Sequence, residues 1–314
     1  MGTGNPGFIQ EFLEAVGKKI GQSIPLREHA NFKVGGQADY FFVASSLPEF
    51  VQALRIARQH DIPFYVIGGG YNLLFDDGGF HGLIIKNCVR GIEKKGKANI
   101  EVLSGTPIRE LLSFCVANDM KGFEFLAGIP GTVGGAVFGN AGAFDRAIGS
   151  FLTDALVLDK KGEKAHVDRD YFTFNYRQSR LRTNKALLLR ATFSLRKGIR
   201  QDIENKIAEN VAKREKKHPP EGVACAGSYF KNPVLADGKR IPAAYFLDKV
   251  GAKDLYVGGA AVFSGHANFI INKQEATTQD ILNLARELKN RVKQKFGIEL
   301  EEEVIYLPAA LPMP

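Results

Sequence analysis

FYVIGGGYNLLFDDGGF, residues 64–80, decides how this chain is read. An apolar run, Phe64 to Ile67, ends on Gly68, Gly69 and Gly70. A strand that ends in bare backbone lets a phosphate approach main-chain N–H groups closely. Neither common nucleotide template fits. No Lys-Ser/Thr pair follows the glycines, so this is not a P-loop. At the dinucleotide spacing Gly68 and Gly70 are followed by Leu73 where the third glycine belongs, and Asp76-Asp77-Gly78-Gly79 turns the chain before any long helix. The stretch therefore reads as a glycine cradle outside a Rossmann unit.

The chain around it has 314 residues, enough for two or three domains. It is 45% hydrophobic and 24% charged, which is a globular composition. It has 34 glycines, well above the ~7% of an average chain, so many tight turns or close backbone approaches are expected. No run reaches the roughly 18 apolar residues of a membrane span. Met1 to Gly7 reads as a floppy leader with no signal-peptide pattern, so the expected compartment is the cytoplasm. Cys88, Cys115 and Cys225 have no metal or redox spacing and read as reduced, buried thiols. The six histidines are scattered, and no metal is expected. The net charge of +8 suits acidic ligands such as nucleotides. The basic residues are spread, except for a cluster at 213–217 that reads as the cationic end of a helix, so nucleic acid is not expected.

Periodicity predicts a helix over 8–21 and a strand over Tyr40 to Ala44. Ser46-x-x-Glu49 is a capping box that opens a helix presenting Phe50, Leu54 and Ala57. A helix from Pro107 to Asn118 and strands at 83–85, 100–104, 155–159, 165–168 and 186–195 follow. Residues 122–149 carry a glycine at almost every third position from Gly128 to Gly142. Each interior glycine costs a helix roughly 0.5–1 kcal/mol against alanine, so the segment reads as a packing turn or as a second loop lying flat on a ligand. A helix over 201–218 ends at Pro219-Pro220, a domain boundary. The last part holds AGSYFKNP, a helix near 243–250, strands in YVGGAAVF and FIIN, a helix over 278–296 stopped by Gly297, and IELEEEVIYL as a strand.

Two glycine loops about 60 residues apart suit an elongated dinucleotide. With NFKVGGQADYFF, GFEFLAGIPGTVGGAVFGNAGAF, FNYRQSRL, AGSYFKNP, GGAAVFSGHANFIIN and FGIELEEEV in that order, residues 26–307 resemble the UDP-N-acetylenolpyruvoylglucosamine reductase (MurB) family. The resemblance implies an α+β architecture: a two-subdomain FAD-binding fold of the vanillyl-alcohol-oxidase (PCMH) type plus a C-terminal α/β substrate-binding domain. The implied boundaries are 1–86 for the first subdomain, possibly joined by a C-terminal strand at 305–314, then 87–217 and 218–304. It implies non-covalent FAD, held by Gly68, Gly69, Gly70, Tyr71 and Asn72 and by Gly128, Pro130, Gly131, Thr132, Gly134, Gly135, Asn140, Ala141 and Gly142. It further implies NADPH as hydride donor and UDP-N-acetylglucosamine-enolpyruvate as substrate, reduced to UDP-N-acetylmuramate for peptidoglycan synthesis. Where the family usually has serine, this chain has Tyr71, which removes one side-chain donor and leaves the backbone donors.

In that reaction hydride reaches the enolpyruvyl C3 while negative charge develops at C2 and its carboxylate. The site needs a cation and an acid. Arg177 matches the family's active-site arginine and Tyr176 stands beside it as a substrate contact. By residue chemistry alone Arg177 reads more readily as a surface arginine, with Arg180 and Arg182 nearby, and it is the resemblance that favours the active-site role. Ser228 matches the proton donor; by residue chemistry alone a serine after Gly227 reads first as a cap or turn residue, and the resemblance reverses that order. Glu303 matches the third catalytic position, with Glu301 as runner-up, and Glu302 stands where the family has proline. Lys231 and Asn232 are further substrate candidates. The short span from Arg177 to Ser228 resembles the subtype lacking an extra substrate-clamping loop. The implied protein is a monomer. The competing readings are another FAD oxidoreductase of the same fold, or a nucleotide-binding protein without catalysis.

Overall fold

The computed structural model describes residues 5–311. The chain forms two compact units. The first takes residues 5–20, 41–69 and 83–214, and the second takes 21–40, 70–82 and 215–311. The strands Gln37–Ala44 and Phe80–Asn87 carry the chain from one unit into the other, and so does the peptide bond between Gly69 and Gly70.

The first unit opens with the helix Pro6–Val16. The expected leader, Met1 to Gly7, falls partly outside the described residues, and its last two residues are helical. Asn5 accepts the Phe8 N–H at 3.1 Å, and Pro6 supplies a preset first turn. The predicted extension to residue 21 fails because Gly17 turns left-handed at φ 74° and closes the helix. Phe8 and Phe12 are buried, as are Phe50 and Leu54 of the helix Leu47–Gln59. Ser46 caps that second helix, but the Glu49 carboxylate reaches back to the Ser45 N–H at 2.9 Å, one residue short of a closed capping box. The strand Phe64–Ile67 pairs parallel with Leu83 to Lys86 and delivers the glycines at its end.

The rest of this unit is a five-stranded antiparallel sheet in the order Lys164–Asp168, Leu152–Leu158, Leu187–Ser194, Asn99–Leu103, Ile92–Lys95. Inward-facing Ile100, Val102, Val157 and Phe193 form its core with Leu111 and Val133 from neighbouring helices. The helix Arg200–Glu215 buries only Ile203 and Asn210, and the Asn210 amide donates to the Glu124 carbonyl at 2.8 Å.

The second unit is built on the helix Thr278–Phe296. Thr277 and Asp280 form a full capping box, and Gly297 ends the helix at φ 67°. Ile281, Leu284, Leu288 and Val292 are buried to 1% or less against Phe230, Leu247 and Ile270. Each such side chain contributes about 1.5–3 kcal/mol, so this face anchors the unit. A three-stranded antiparallel sheet, Tyr256–Val257, Ala260–Val262 and Ile270–Asn272, lies in the same core. The expected strand over IELEEEVIYL is shorter: Ile305–Leu307 alone pairs, in parallel, with Leu73–Phe75. Residues 301–303 make a single bridge, Phe230 to Glu302.

Candidate active site

The two glycine stretches, far apart in sequence, meet in the first unit. A Cβ at Gly68 would stand 2.5 Å from Thr132 Oγ1, so only glycine permits the contact. Thr132 caps a six-residue helix, Val133–Phe138, that the glycine-rich reading did not anticipate. The helix tolerates its glycines because they are packed against: the Gly134 N–H donates to the Ser104 carbonyl at 2.7 Å, and a Cβ there would stand 2.9 Å from that oxygen. Gly135 donates to the Thr132 cap at 3.3 Å. The Ala141 N–H closes the helix onto the Ala136 carbonyl at 2.7 Å, and Gly142 leaves no room for a side chain beside the Arg146 carbonyl. Gly131 differs. It is left-handed at φ 134°, and nothing lies within 4 Å of where its Cβ would be. With exposed Gly128 and Pro130 beside it, this is bare backbone facing open space, which fits the flavin dinucleotide expected there. Arg214 lies along this loop, its Nε donating to the Gly128 carbonyl at 3.2 Å. Burial, and then the neighbouring charge of Arg177, hold the Arg214 guanidinium below its usual pKa. Nothing in the residue pattern signals that placement, since the 213–217 cluster reads as an ordinary helix end.

Arg177 sits in the same unit at the tip of a two-residue turn. Asn175 and Gln178 exchange both backbone hydrogen bonds, at 3.0 and 3.1 Å. Arg177 is left-handed at φ 53°, a conformation that costs an L-residue roughly 1–2 kcal/mol. Its guanidinium lies over the Tyr176 ring at 5.3 Å. The turn is tied to the second glycine loop twice. Buried Asn140 donates to the Asn175 carbonyl at 2.8 Å and accepts from the Gly149 N–H at 3.1 Å. Ser179 donates to the Phe138 carbonyl at 2.8 Å. The Asn140 side chain is thus committed to holding the arginine turn.

The second unit carries Gly70, Tyr71, Asn72, Ser228, Lys231, Asn232 and Glu303. Gly70 is required by packing: at φ 71°, a Cβ would stand 2.0 Å from the His29 carbonyl oxygen. The Asn72 amide donates to the Glu303 carbonyl at 3.2 Å, and the Ile305 N–H donates back to the Asn72 carbonyl at 3.1 Å. The glycine loop therefore holds the Glu303 backbone. Ser228 lies on a stretch facing residues 268–271. Cys225 bridges Ile271 and the Tyr229 N–H donates to the Asn268 carbonyl at 2.8 Å, so residues 225–229 carry one residue more than the chain opposite. This is the signature of a bulge, which re-aims a side chain; left-handed Gly227, at φ 77°, makes the kink.

On the other side, the Glu303 N–H donates to the Tyr229 carbonyl at 2.8 Å and the Lys231 N–H to the Glu301 carbonyl at 2.8 Å. Ser228 and Glu303 therefore ride on adjoining backbone. Glu301 and Glu302 are exposed and paired with Lys231 and Lys289, whereas Glu303 is half-buried. That contrast favours Glu303 over Glu301. Lys231 is thus engaged by Glu301, and Asn232 Oδ1 accepts the Ala243 N–H at 3.0 Å, at the start of the helix Ala243–Lys249.

Comparison with known proteins agrees with this layout. The family model described as "UDP-N-acetylenolpyruvoylglucosamine reductase, C-terminal domain" matches residues 218–307, and that of an FAD binding domain matches 38–168. A UDP-N-acetylenolpyruvoylglucosamine reductase of Clostridium botulinum is 37% identical over 91% of this chain and 92% of its own length. One from Clostridium kluyveri is 37% identical over 94% and 95%. The chain belongs to the UDP-N-acetylenolpyruvoylglucosamine reductase family. The crystal structure of the Thermus caldophilus reductase aligns with a TM-score of 0.77 at 28% identity, covering 92% of this chain and 99% of that one. The α+β, PCMH-type fold class expected from sequence therefore holds.

The resemblance sets Tyr71 where a serine is expected. Tyr71 is 40% exposed, so it is not a core residue. Tyr71→Ser is expected to leave turnover near wild type and to tighten FAD binding by at most one hydrogen bond, about 0.5–1.5 kcal/mol. Flavin titration of the apoprotein checks this, and loss of FAD binding would overturn the reading of the loop.

His266 has no role in the sequence reading. Its Nδ1 accepts the Asn268 N–H at 3.2 Å, and its ring meets Phe269 at 4.9 Å and His218 at 5.9 Å. Burial lowers its pKa from the ordinary 6.5; Lys253 and Lys217 push the same way, and Asp248 opposes. A depressed histidine pKa means that the unfolded chain binds the proton more readily. The stability this group contributes is full above the unfolded value of ~6.5 and is lost as pH falls below it and through the lower folded value. Melting temperature should therefore drop between pH 7.5 and 5.5 by more in wild type than in His266→Gln. An equal drop in both would remove His266 from the account.

Proposed function

We propose that this chain is a UDP-N-acetylmuramate dehydrogenase, reducing UDP-N-acetylglucosamine-enolpyruvate to UDP-N-acetylmuramate with NADPH in peptidoglycan precursor synthesis. The observation that carries the reading is relatedness along nearly the whole chain, 37% over 91%, in a chain that has arginine, serine and glutamate at all three expected positions. Bound FAD, held without a covalent link, supplies the hydride relay from NADPH to the enolpyruvyl C3. In this reading the glycine backbone at 68–72 and the open backbone at 128–131 would hold it, since the N–H groups of Gly134, Gly135, Asn140 and Ala141 are already bonded within the first unit. Arg177 sets a permanent, forked charge against the substrate carboxylate, where negative charge grows. Ser228 Oγ gives its proton to C2. A hydroxyl is a weak acid at neutral pH, so the proton must be replaced at once; Glu303 is the candidate to return it in this reading, supported by its partial burial and by backbone that adjoins that of Ser228. Tyr176, Lys231 and Asn232 complete the substrate contacts in this reading.

We divide the chain functionally at 1–86, 87–217 and 218–304, with the C-terminal strand returning to the first part. The pairing of Ile305–Leu307 with Leu73–Phe75 supports that return. The span from Arg177 to Ser228 supports the subtype without an extra clamping loop. A working monomer belongs to the same proposal, and NADPH as reductant supports a cytoplasmic reaction. The test is NADPH oxidation by the purified, yellow protein with and without UDP-N-acetylglucosamine-enolpyruvate. Turnover should depend on that substrate. Equal rates without it would make the protein a diaphorase or an oxidase.

A further inference from the structure

Asn268 stands two residues from His266 in sequence and belongs to none of the motif positions assigned a role above. It is 3% exposed. Its side-chain amide pairs with both backbone groups of Phe230: Oδ1 accepts the Phe230 N–H at 3.0 Å, and Nδ2 donates to the Phe230 carbonyl at 2.9 Å. Its own carbonyl accepts the Tyr229 N–H at 2.8 Å. One residue thus makes three hydrogen bonds to the two residues that follow Ser228. The opposite edge of Tyr229 is taken by the Glu303 N–H. The Tyr229–Phe230 backbone is therefore gripped from both sides.

The grip matters because of the bulge. Extra residues in a paired stretch leave the local backbone unpaired, and Gly227 is open on all sides of its missing Cβ. The kink by itself leaves the direction of Ser228 underdetermined. The first fixed points downstream are the Asn268 bonds, and a side-chain amide that mimics a strand edge supplies what the interrupted pairing cannot.

We propose that Asn268 is a positioning residue for the reduction: it aims Ser228 Oγ at the carbon to be protonated by clamping the Tyr229–Phe230 backbone behind the bulge. The proposal rests on Ser228 being the acid. Misplacing a reacting group by about 1 Å costs on the order of 10²-fold, so the clamp should be visible in the half-reaction that uses the proton and absent from the one that does not.

The experiment is anaerobic stopped-flow on the FAD-loaded enzyme, following flavin reduction by NADPH and reoxidation by UDP-N-acetylglucosamine-enolpyruvate. Asn268→Asp keeps the shape and the Phe230 N–H acceptor but sets an oxygen against the Phe230 carbonyl. It should slow reoxidation by about 10–100-fold, with flavin reduction within about twofold of wild type and FAD content unchanged. In a Ser228→Ala background the same change should add less than about threefold, because residues acting as one unit are not additive. Asn268→Ser, which removes the amide without a buried carboxylate, should behave likewise and serves if the aspartate variant does not fold. Slowing of both half-reactions alike, or the same factor with and without Ser228, would overturn the clamp and leave Ser228 as the acid. No effect of Ser228→Ala alone would overturn the acid assignment and the clamp together. Failure of both Asn268 variants to fold with flavin would assign the residue to the fold as a whole and end the proposal.

Discussion

Ser228→Ala should split the two halves of the catalytic cycle. Flavin reduction by NADPH delivers no proton to the substrate carbon, so its rate should stay near wild type. Reoxidation by the enolpyruvyl substrate requires C2 to be protonated and should slow by roughly 10²–10⁴-fold, the usual worth of a positioned acid. The structure makes this a clean variant. Ser228 is half-buried on a bulge, and its flanking backbone is fixed by Tyr229 and Phe230 rather than by its own hydroxyl. Removing one oxygen should leave stability and FAD content unchanged. Stopped-flow traces of the two half-reactions read the result directly. Equal slowing of both would make Ser228 a support for the flavin or the fold. No slowing of either would pass the donor role to another group, with Glu303 first to be tested by Glu303→Gln.

The sequence was informative where structure is local. The helices Ile108–Ala117 and Thr278–Phe296 lie within a residue or two of their predicted bounds, and Leu47–Gln59 opens at the predicted Ser46. Each has apolar residues at helical spacing between a polar cap or proline and a stop, and those signals sit within one turn of the ends. The first helix differs from its predicted bounds at both ends because Asn5 caps its start and left-handed Gly17 closes it. The helix Val133–Phe138 was missed because propensity counts glycine as a penalty, whereas here Gly134 is needed for the approach to Ser104.

The acidic stretch 301–303 looked like a strand by composition. It makes one bridge and stops, because its partner segment bulges at Ser228 on one side and reaches Pro233, which has no N–H, on the other. The site shows the same divide. Motifs name the residues proposed to react, and the side chains that hold their backbone carry no such signal. Asn140 ties the Arg177 turn across 35 positions, Asn268 ties Phe230 across 38, and Asn72 ties Glu303 across 231. A lone asparagine in a sequence carries no sign of a carbonyl that distant.

Arg177→Gln is the other large effect expected. Glutamine keeps a polar side chain but loses the permanent charge and the fork that meets a carboxylate. Removing one preorganised group that stabilises developing charge costs about 10²–10³-fold, so reoxidation by the enolpyruvyl substrate should fall by that factor. Arg177→Lys should recover part of it, because the charge remains while the planar fork does not. The backbone supplies a second readout. Arg177 is left-handed at φ 53° in a turn fixed by Asn140 and Ser179. Glutamine and lysine meet the same strain as arginine, so these variants should melt near wild type. Arg177→Gly relieves roughly 1–2 kcal/mol of that strain, partly offset by the greater freedom of glycine in the unfolded chain. It should therefore lose as much activity as Arg177→Gln without losing melting temperature. A strained arginine kept for its charge predicts that combination, activity lost and stability held. An arginine kept for packing predicts that both fall together in all three variants. Wild-type reoxidation in Arg177→Gln would remove the residue from the reaction altogether.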